Sequence, residues 1–194
     1  MGISWARLFF IEGEDMNISV YCGSSFGNKE IYKEAAVELA LWMAKKQYTL
    51  VYGGAQNGLM GVVASTVLEN DGKVIGILPN VPLIQERKQK GLTEYIETET
   101  MAQRKSLMIE KSDAFIALPG GIGTLDELSE VMTLSMLKEI FGPIIIYNVG
   151  GYYNPLKLCL ENMYENEFAS RDYFEKVLIS DDLDEIEYFI EKNR

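Results

Sequence analysis

The chain contains no histidine. That absence removes Ser-His-Asp and Cys-His nucleophilic catalysis, and with them every metal site that needs an imidazole. Cysteine is nearly as scarce. Cys22 and Cys159 are the two in 194 residues, too few for a four-thiolate zinc site and too far apart in sequence to imply a disulfide framework. Such a chain reads as cytoplasmic and reduced, with no metal and no resident cofactor expected. Positive charge is also in short supply: 18 Lys and Arg against 29 Asp and Glu give a formal charge of −11, with no block of five or six basic residues. Nucleic acid is therefore not an expected partner. A free nucleotide is not excluded, because a helix N-terminus and one or two cations hold a phosphate whatever the net charge. Long apolar runs are missing too. Nothing approaches the roughly 18 residues of a membrane span, so no membrane is expected. The opening MGISWARLFFIEGEDM lacks the apolar core and cleavage site of a signal peptide. Catalysis is left to carboxylates, Arg, Lys, Tyr, hydroxyls and backbone amides.

What is present is a regular alternation. From Asn17 onward, short β-branched runs alternate with amphipathic stretches, the pattern of βαβ units in a parallel sheet. Met16 directly precedes it and is a candidate natural start, leaving residues 1–16 as an extension. A disordered or edge-packed extension is the alternative. Residues 17–194 form a single α/β domain of the doubly wound, Rossmann-like class, with helices on both faces and no internal repeat or linker. Strands are expected at 17–22, 49–54, 73–78, 113–121 and 143–148. Helices are expected at about 29–46, 58–70, 101–111, 124–140 and 155–165, with a short VLIS segment at 177–180 and a closing acidic helix from about Asp182. In the first helix Ile31, Ala35, Ala36, Leu39, Ala40 and Met43 fall on one face. Between Pro79 and Thr100 the periodicity fades, which predicts a loop and a candidate lid.

Three strands end in glycine or small-residue clusters: Gly23-Ser24-Ser25, Gly53-Gly54 and Gly120-Gly121. In an open parallel sheet the ligand crevice lies outside the carboxyl ends of the strands, so these loops should converge. The third, Pro119-Gly120-Gly121-Ile122-Gly123-Thr124-Leu125-Asp126-Glu127, carries the chemistry. Its glycines let backbone approach a phosphate, and the free amides of the following helix point at the anion. Thr124 can cap the helix or donate its hydroxyl. Glu127, three residues on, shares the face of Thr124, whereas Asp126 is turned roughly 100° away and is the poorer catalytic candidate. A carboxylate beside a phosphate needs a cation. Met101-Ala102-Gln103-Arg104-Lys105 supplies Arg104 as a bidentate clamp, with Lys105 as a solvated point charge and Met101 more in keeping with core. The turn matches neither G-x-G-x-x-G nor a Walker loop, since no Lys follows Gly123.

Taken together, Cys22-Gly23-Ser24-Ser25, Val51-Tyr52-Gly53-Gly54, Gly58-Leu59-Met60-Gly61, Met101 to Lys105, and Ser112 to Phe115 running through Pro119 to Glu127 resemble, in order and spacing, the Lonely Guy family. The family comprises cytokinin riboside monophosphate phosphoribohydrolases, often mislabelled lysine decarboxylases. The likeness runs from about Asn17 to Tyr153. It implies a Rossmann-like homodimer that hydrolyses a nucleoside 5'-monophosphate, AMP or an N6-prenylated AMP, to free base and ribose 5-phosphate. By position it implies Arg104 and Glu127 as the catalytic pair, Gly120, Gly121, Gly123 and Thr124 as the phosphate turn, and Glu86, Lys105 and Thr133 as further substrate contacts. Ser24, Gly53, Gly54 and Met101 complete the candidate site. The chain departs from the pattern at Ala55, where a third glycine is common, and at Ser135-Met136-Leu137-Lys138, which replaces a Trp-containing stretch. Two other readings compete: a non-catalytic nucleotide or cofactor carrier on the same fold, and a pyridoxal-dependent lysine decarboxylase. The second needs a Schiff-base lysine beside an apolar ring pocket, a context no lysine here has.

Overall fold

The computed structural model describes residues 16–81, 88–170 and 175–193. The extension before Met16 and the segment carrying Glu86 lie outside the described residues. In chain order the elements are β1 (Asn17–Tyr21), α1 (Glu30–Lys45), β2 (Thr49–Tyr52), α2 (Gly58–Glu69), β3 (Val74–Pro79), β4 (Glu94–Thr98), α3 (Met101–Glu110), β5 (Ala114–Ala117), α4 (Ile122–Met136), β6 (Ile144–Tyr147), α5 (Asn154–Glu165), β7 (Val177–Ser180) and α6 (Leu183–Asn193). The strands form one sheet in the order β4-β3-β2-β1-β5-β6-β7, every neighbouring pair parallel. This is the Rossmann-like α/β fold that the alternating runs predict. Strand order reverses between β1 and β5, which places the crevice at their carboxyl ends.

Strand geometry explains the apolar runs. Successive side chains point to opposite faces, and here both faces are covered. Ile18, Leu50, Ile116 and Ile145 pack under α1, α2 and α6. Val51, Phe115, Ile144 and Ile146 pack under α3, α4 and α5. A strand buried on both sides must be apolar throughout, and IIIY of β6 is buried at every position.

Several expectations need correction. The polar stretch expected to be loop contains β4, an edge strand that among the described residues pairs with β3 alone. Its sequence EYIET is half-exposed and carries two glutamates, and charge is how edge strands avoid pairing with other chains; it also hides the strand from a periodicity reading. Ile31 is exposed; the buried face of α1 uses Tyr32 in its place. Helix α4 ends at Met136 rather than near Ile140, closed by Lys138 at φ 60 with Glu139 N–H donating to Leu134 O at 2.9 Å. That left-handed residue and back-directed bond satisfy the last carbonyls of the helix.

Candidate active site

The turn after β5 is tied to the loop after β1 by Gly23 N–H donating to Pro119 O at 3.0 Å. From beyond β6, Tyr153 donates its hydroxyl to Leu118 O at 2.7 Å, and Tyr152 donates to Gly120 O. Both carbonyls of the strand exit are thereby fixed. Gly120 is required by close approach: a Cβ there would run into Thr124 Oγ1 and the backbone nitrogen of Gly23. Gly121 and Gly123 differ, because a Cβ at either would meet open space. Gly121 is the N-cap of α4, and among the described residues no side chain caps the helix, so the first-turn amides of Ile122, Gly123 and Thr124 stay available to an anion. Thr124 is not the cap. It is buried against Gly120.

One turn deeper Glu127 is 5% exposed, as is Arg104. Arg104 Nη1 donates to Glu127 Oε1 at 2.7 Å, and its Nε donates to Ile77 O at 3.1 Å. Arg104 is the fourth residue of α3, whose N-cap Thr100 accepts from Gln103 N–H at 3.1 Å. Placing a cation this near a helix N-terminus opposes the helix dipole; the pair with Glu127 supplies the compensation. Burial pushes the Glu127 carboxyl above its ordinary range, and the Arg104 guanidinium beside it opposes that rise without cancelling it. The result is a desolvated carboxylate held by one bidentate-capable cation. Such a group can stabilise positive charge at close range or orient water.

A cleft of about 440 Å³ opens above this pair, lined by residues from all three glycine loops: Gly23 and Ser24, Gly53, and Gly121 to Thr124. Arg104, Glu127 and Met101 line it too, as do Cys22, Ala55, Asn57, Met60, Pro79 and Asp126. Polar groups therefore gather at the α4 end, and Met60, Met101 and Pro79 give the cleft an apolar sector. The predicted convergence of loops is what the structure shows.

Met101 lines the cleft, whereas Gly54, Thr133 and Lys105 do not. Met101 is not core but 47% exposed on the rim. Gly54 does not line the cleft: its φ is +74, and a Cβ would strike Leu78, so its role is backbone geometry. Thr133 is exposed and donates its hydroxyl to Ser129 O within α4 at 2.8 Å, away from the cleft. Lys105 is no solvated point charge, since its Nζ stands 2.9 Å from Asp126 Oδ2 and 2.7 Å from Glu130 Oε2. Sequence reasoning missed Glu130 and the two tyrosines behind the turn. Glu130 lies four residues from Asp126, a spacing that becomes a signal only once α3 and α4 are known to be neighbours.

Gly53 gives a local test of this geometry. A Cβ there would collide with Nη2 and Cζ of Arg104. Gly53→Ala is expected to leave the fold intact and to displace the guanidinium, lowering kcat about tenfold or more, since sub-ångström misplacement in a site is costly. Steady-state kinetics beside a melting curve checks this.

A family model described as "Possible lysine decarboxylase" matches residues 60–188. The chain is 43% identical over 152 residues to the probable cytokinin riboside 5'-monophosphate phosphoribohydrolase LOG6 of Arabidopsis thaliana, covering 78% of this chain and 76% of that protein. The chain belongs to the Lonely Guy family. Further family members include the cytokinin riboside 5'-monophosphate phosphoribohydrolase LOG1 of Arabidopsis thaliana, 42% identical over 160 residues, covering 82% of this chain and 75% of that one. The probable LOGL3 enzyme of Oryza sativa subsp. japonica is 44% identical over 151 residues, with 78% and 72% covered. Among solved structures, the molybdenum cofactor binding protein from Rippkaea orientalis matches with a TM-score of 0.70 at 21% identity, over 92% of this chain and 97% of that one. The Moco carrier protein from Chlamydomonas reinhardtii matches with a TM-score of 0.68 at 18% identity, over 92% and 99%. At such identities these two support the shared fold alone. The decarboxylase description of the family model finds no support in the cleft: among the described residues no lysine lines it, so an aldehyde cofactor would have no imine partner there.

Proposed function

We propose that this chain hydrolyses the N-glycosidic bond of a nucleoside 5'-monophosphate, AMP or an N6-prenylated AMP, releasing the free base and ribose 5-phosphate. The observation that carries the reading is the buried Arg104–Glu127 pair directly below an uncapped helix N-terminus, in a chain about 40% identical to enzymes named for that reaction. The phosphate sits on the amides of Ile122, Gly123 and Thr124, with Gly120 and Gly121 giving backbone access. The ribose then lies over Glu127. As the C1'–N bond breaks, electron density leaves with the base and C1' becomes oxocarbenium-like, which the carboxylate stabilises across a short, dry gap. Water adds through its oxygen to C1', and its hydrogen ends on the base. Arg104 fixes the carboxylate through Nη1. The apolar sector at Met60, Pro79 and Met101 receives the base and any prenyl group.

Incubation with AMP, prenylated AMP and the dephosphorylated nucleosides, followed by chromatography of the free base, tests the reading. Release from the monophosphates is expected, and much slower release from the nucleosides, which lack the group that the α4 amides bind. Equal rates with and without phosphate would remove the cradle from the account.

The carrier reading predicts tight binding without turnover, and a buried carboxylate aimed into the ligand cleft has no purpose in it. We further place a homodimer contact along α4 and the turn after it, where Ile122, Leu125, Met136, Leu137 and Phe141 are exposed. Sedimentation of the protein should give twice the chain mass of 21.9 kDa; a monomer at micromolar concentration would contradict it. No helix among the described residues is long and apolar enough to cross a membrane. Cytoplasmic residence is proposed from the cysteine usage, and fractionation of the source cells tests it.

A further inference from the structure

Arg104 and Lys105 are consecutive on α3, and Asp126 and Glu127 are consecutive on α4. Consecutive helical residues point about 100° apart, so two helices packed side by side can be joined by two adjacent rungs. The inner rung is the buried Arg104–Glu127 contact. The outer rung is Lys105, whose Nζ reaches Asp126 and, one turn further, Glu130. The lysine side chain is 18% exposed, against 57% for Asp126 and 32% for Glu130. Its ammonium is therefore occupied by two carboxylates of α4, and Lys105 is absent from the cleft lining among the described residues.

We propose that Lys105 is a positioning residue: by bridging α3 to Asp126 and Glu130 it fixes the distance and register at which Arg104 meets Glu127. The role rests on the reading of Glu127 as the hydrolytic carboxylate. It departs from the direct substrate contact that the resemblance implies for this lysine. The five charges explain why a second cation is needed. Arg104 and Lys105 face Asp126, Glu127 and Glu130. Without Lys105 one guanidinium faces three carboxylates, and the best compromise for it is no longer a dedicated contact with Glu127. Half-exposed ion pairs add little to global stability, so this rung sets geometry more than it holds the fold.

The charges facing Glu127 are Arg104 and Lys105 from α3 and Asp126 on α4; Lys105 lowers its pKa and Asp126 raises it. From the end of β1, Tyr21 and Cys22 lie close enough for Glu127 to push up their own pKa values. Neither is charged near neutrality, so removing Lys105 moves the Glu127 pKa in one direction, upward.

The test compares wild type, Lys105→Met, Lys105→Arg and Glu130→Gln. Lys105→Met is expected to lower kcat about 10- to 100-fold, the scale of a misplaced catalytic group, with little change in KM or melting temperature and an acid limb displaced to higher pH. Lys105→Arg should recover part of kcat. Glu130→Gln, which keeps the lysine and removes its nearest partner, should lower kcat in the same direction. The Glu127 carboxyl titration, followed by NMR in ligand-free protein, should move upward in Lys105→Met. Because loss of the lysine's charge raises that titration directly, the deciding readout is Glu130→Gln, which keeps the lysine and removes a nearby negative charge: an upward Glu127 shift there reports a displaced Arg104, and it is read without turnover. A raised KM with unchanged kcat in Lys105→Met, together with a Glu130→Gln silent in kcat and without an upward Glu127 shift, would overturn the proposal and make Lys105 a substrate contact.

Discussion

Glu127→Gln is expected to lower kcat by about 100- to 10,000-fold, the range for losing a positioned acid–base group, while nucleotide binding stays measurable by calorimetry. The glutamine is isosteric, and its carbonyl still accepts from Arg104 Nη1 across the 2.7 Å contact, so the cleft keeps its shape. The phosphate cradle belongs to the start of α4 and is untouched. What disappears is the negative charge below the ribose. The pH dependence follows from the same residue. Burial holds the Glu127 carboxyl above its ordinary value of 4.5, and the ionised form is the active one. The acid limb of kcat/KM should therefore lie above 4.5 and be absent from the residual rate of Glu127→Gln. A variant retaining wild-type kcat would remove Glu127 from its role.

Arg104→Met should have the largest effect on stability. Removing one partner of a buried ion pair leaves the other charge uncompensated and costs about 3–5 kcal/mol, and both members here are 5% exposed. The loss should depend on pH in a definite sense. Arg104 lowers the Glu127 pKa, so without it the folded-state value climbs further above the unfolded one. A carboxyl with a raised folded pKa contributes fully below its unfolded value and loses that contribution as pH rises through the folded one. The variant should thus approach wild-type stability in acid, where Glu127 is protonated, and fall away toward neutral pH. Urea unfolding at several pH values measures this, and a pH-independent deficit would show that Glu127 does not carry the unpaired charge. Turnover should fall as well, because Glu127 loses the guanidinium that holds it in place and its acid limb moves upward.

The interior of the sheet was legible in the sequence because burial on both faces leaves no choice of residue type: IIIY of β6 and AFIA of β5 are buried throughout. The same logic concealed β4, whose edge position calls for glutamates that a periodicity reading takes for loop. Within the site, helical spacing was enough to separate Glu127 from Asp126, since that distinction is local to one helix. The task of Asp126 was not legible. Its partner Lys105 is 21 residues away and meets it only because the sheet order sets α3 beside α4. Met101 illustrates a third limit: an apolar side chain reads as core, yet the first position of α3 opens onto the cleft. Gly54 was read as a site residue when its glycine serves a left-handed turn against Leu78; sequence shows that backbone must come close, not what it comes close to.

In the proposed reaction water adds to C1' of a bound nucleoside monophosphate above Glu127. Incubating the protein with AMP or prenylated AMP in 18O-water, and analysing both products by mass spectrometry, tests it most directly. Free base and ribose 5-phosphate are expected in equal amounts, with one solvent oxygen on C1 and none in the phosphate. Bound nucleotide recovered intact, or solvent oxygen in released phosphate, would contradict it.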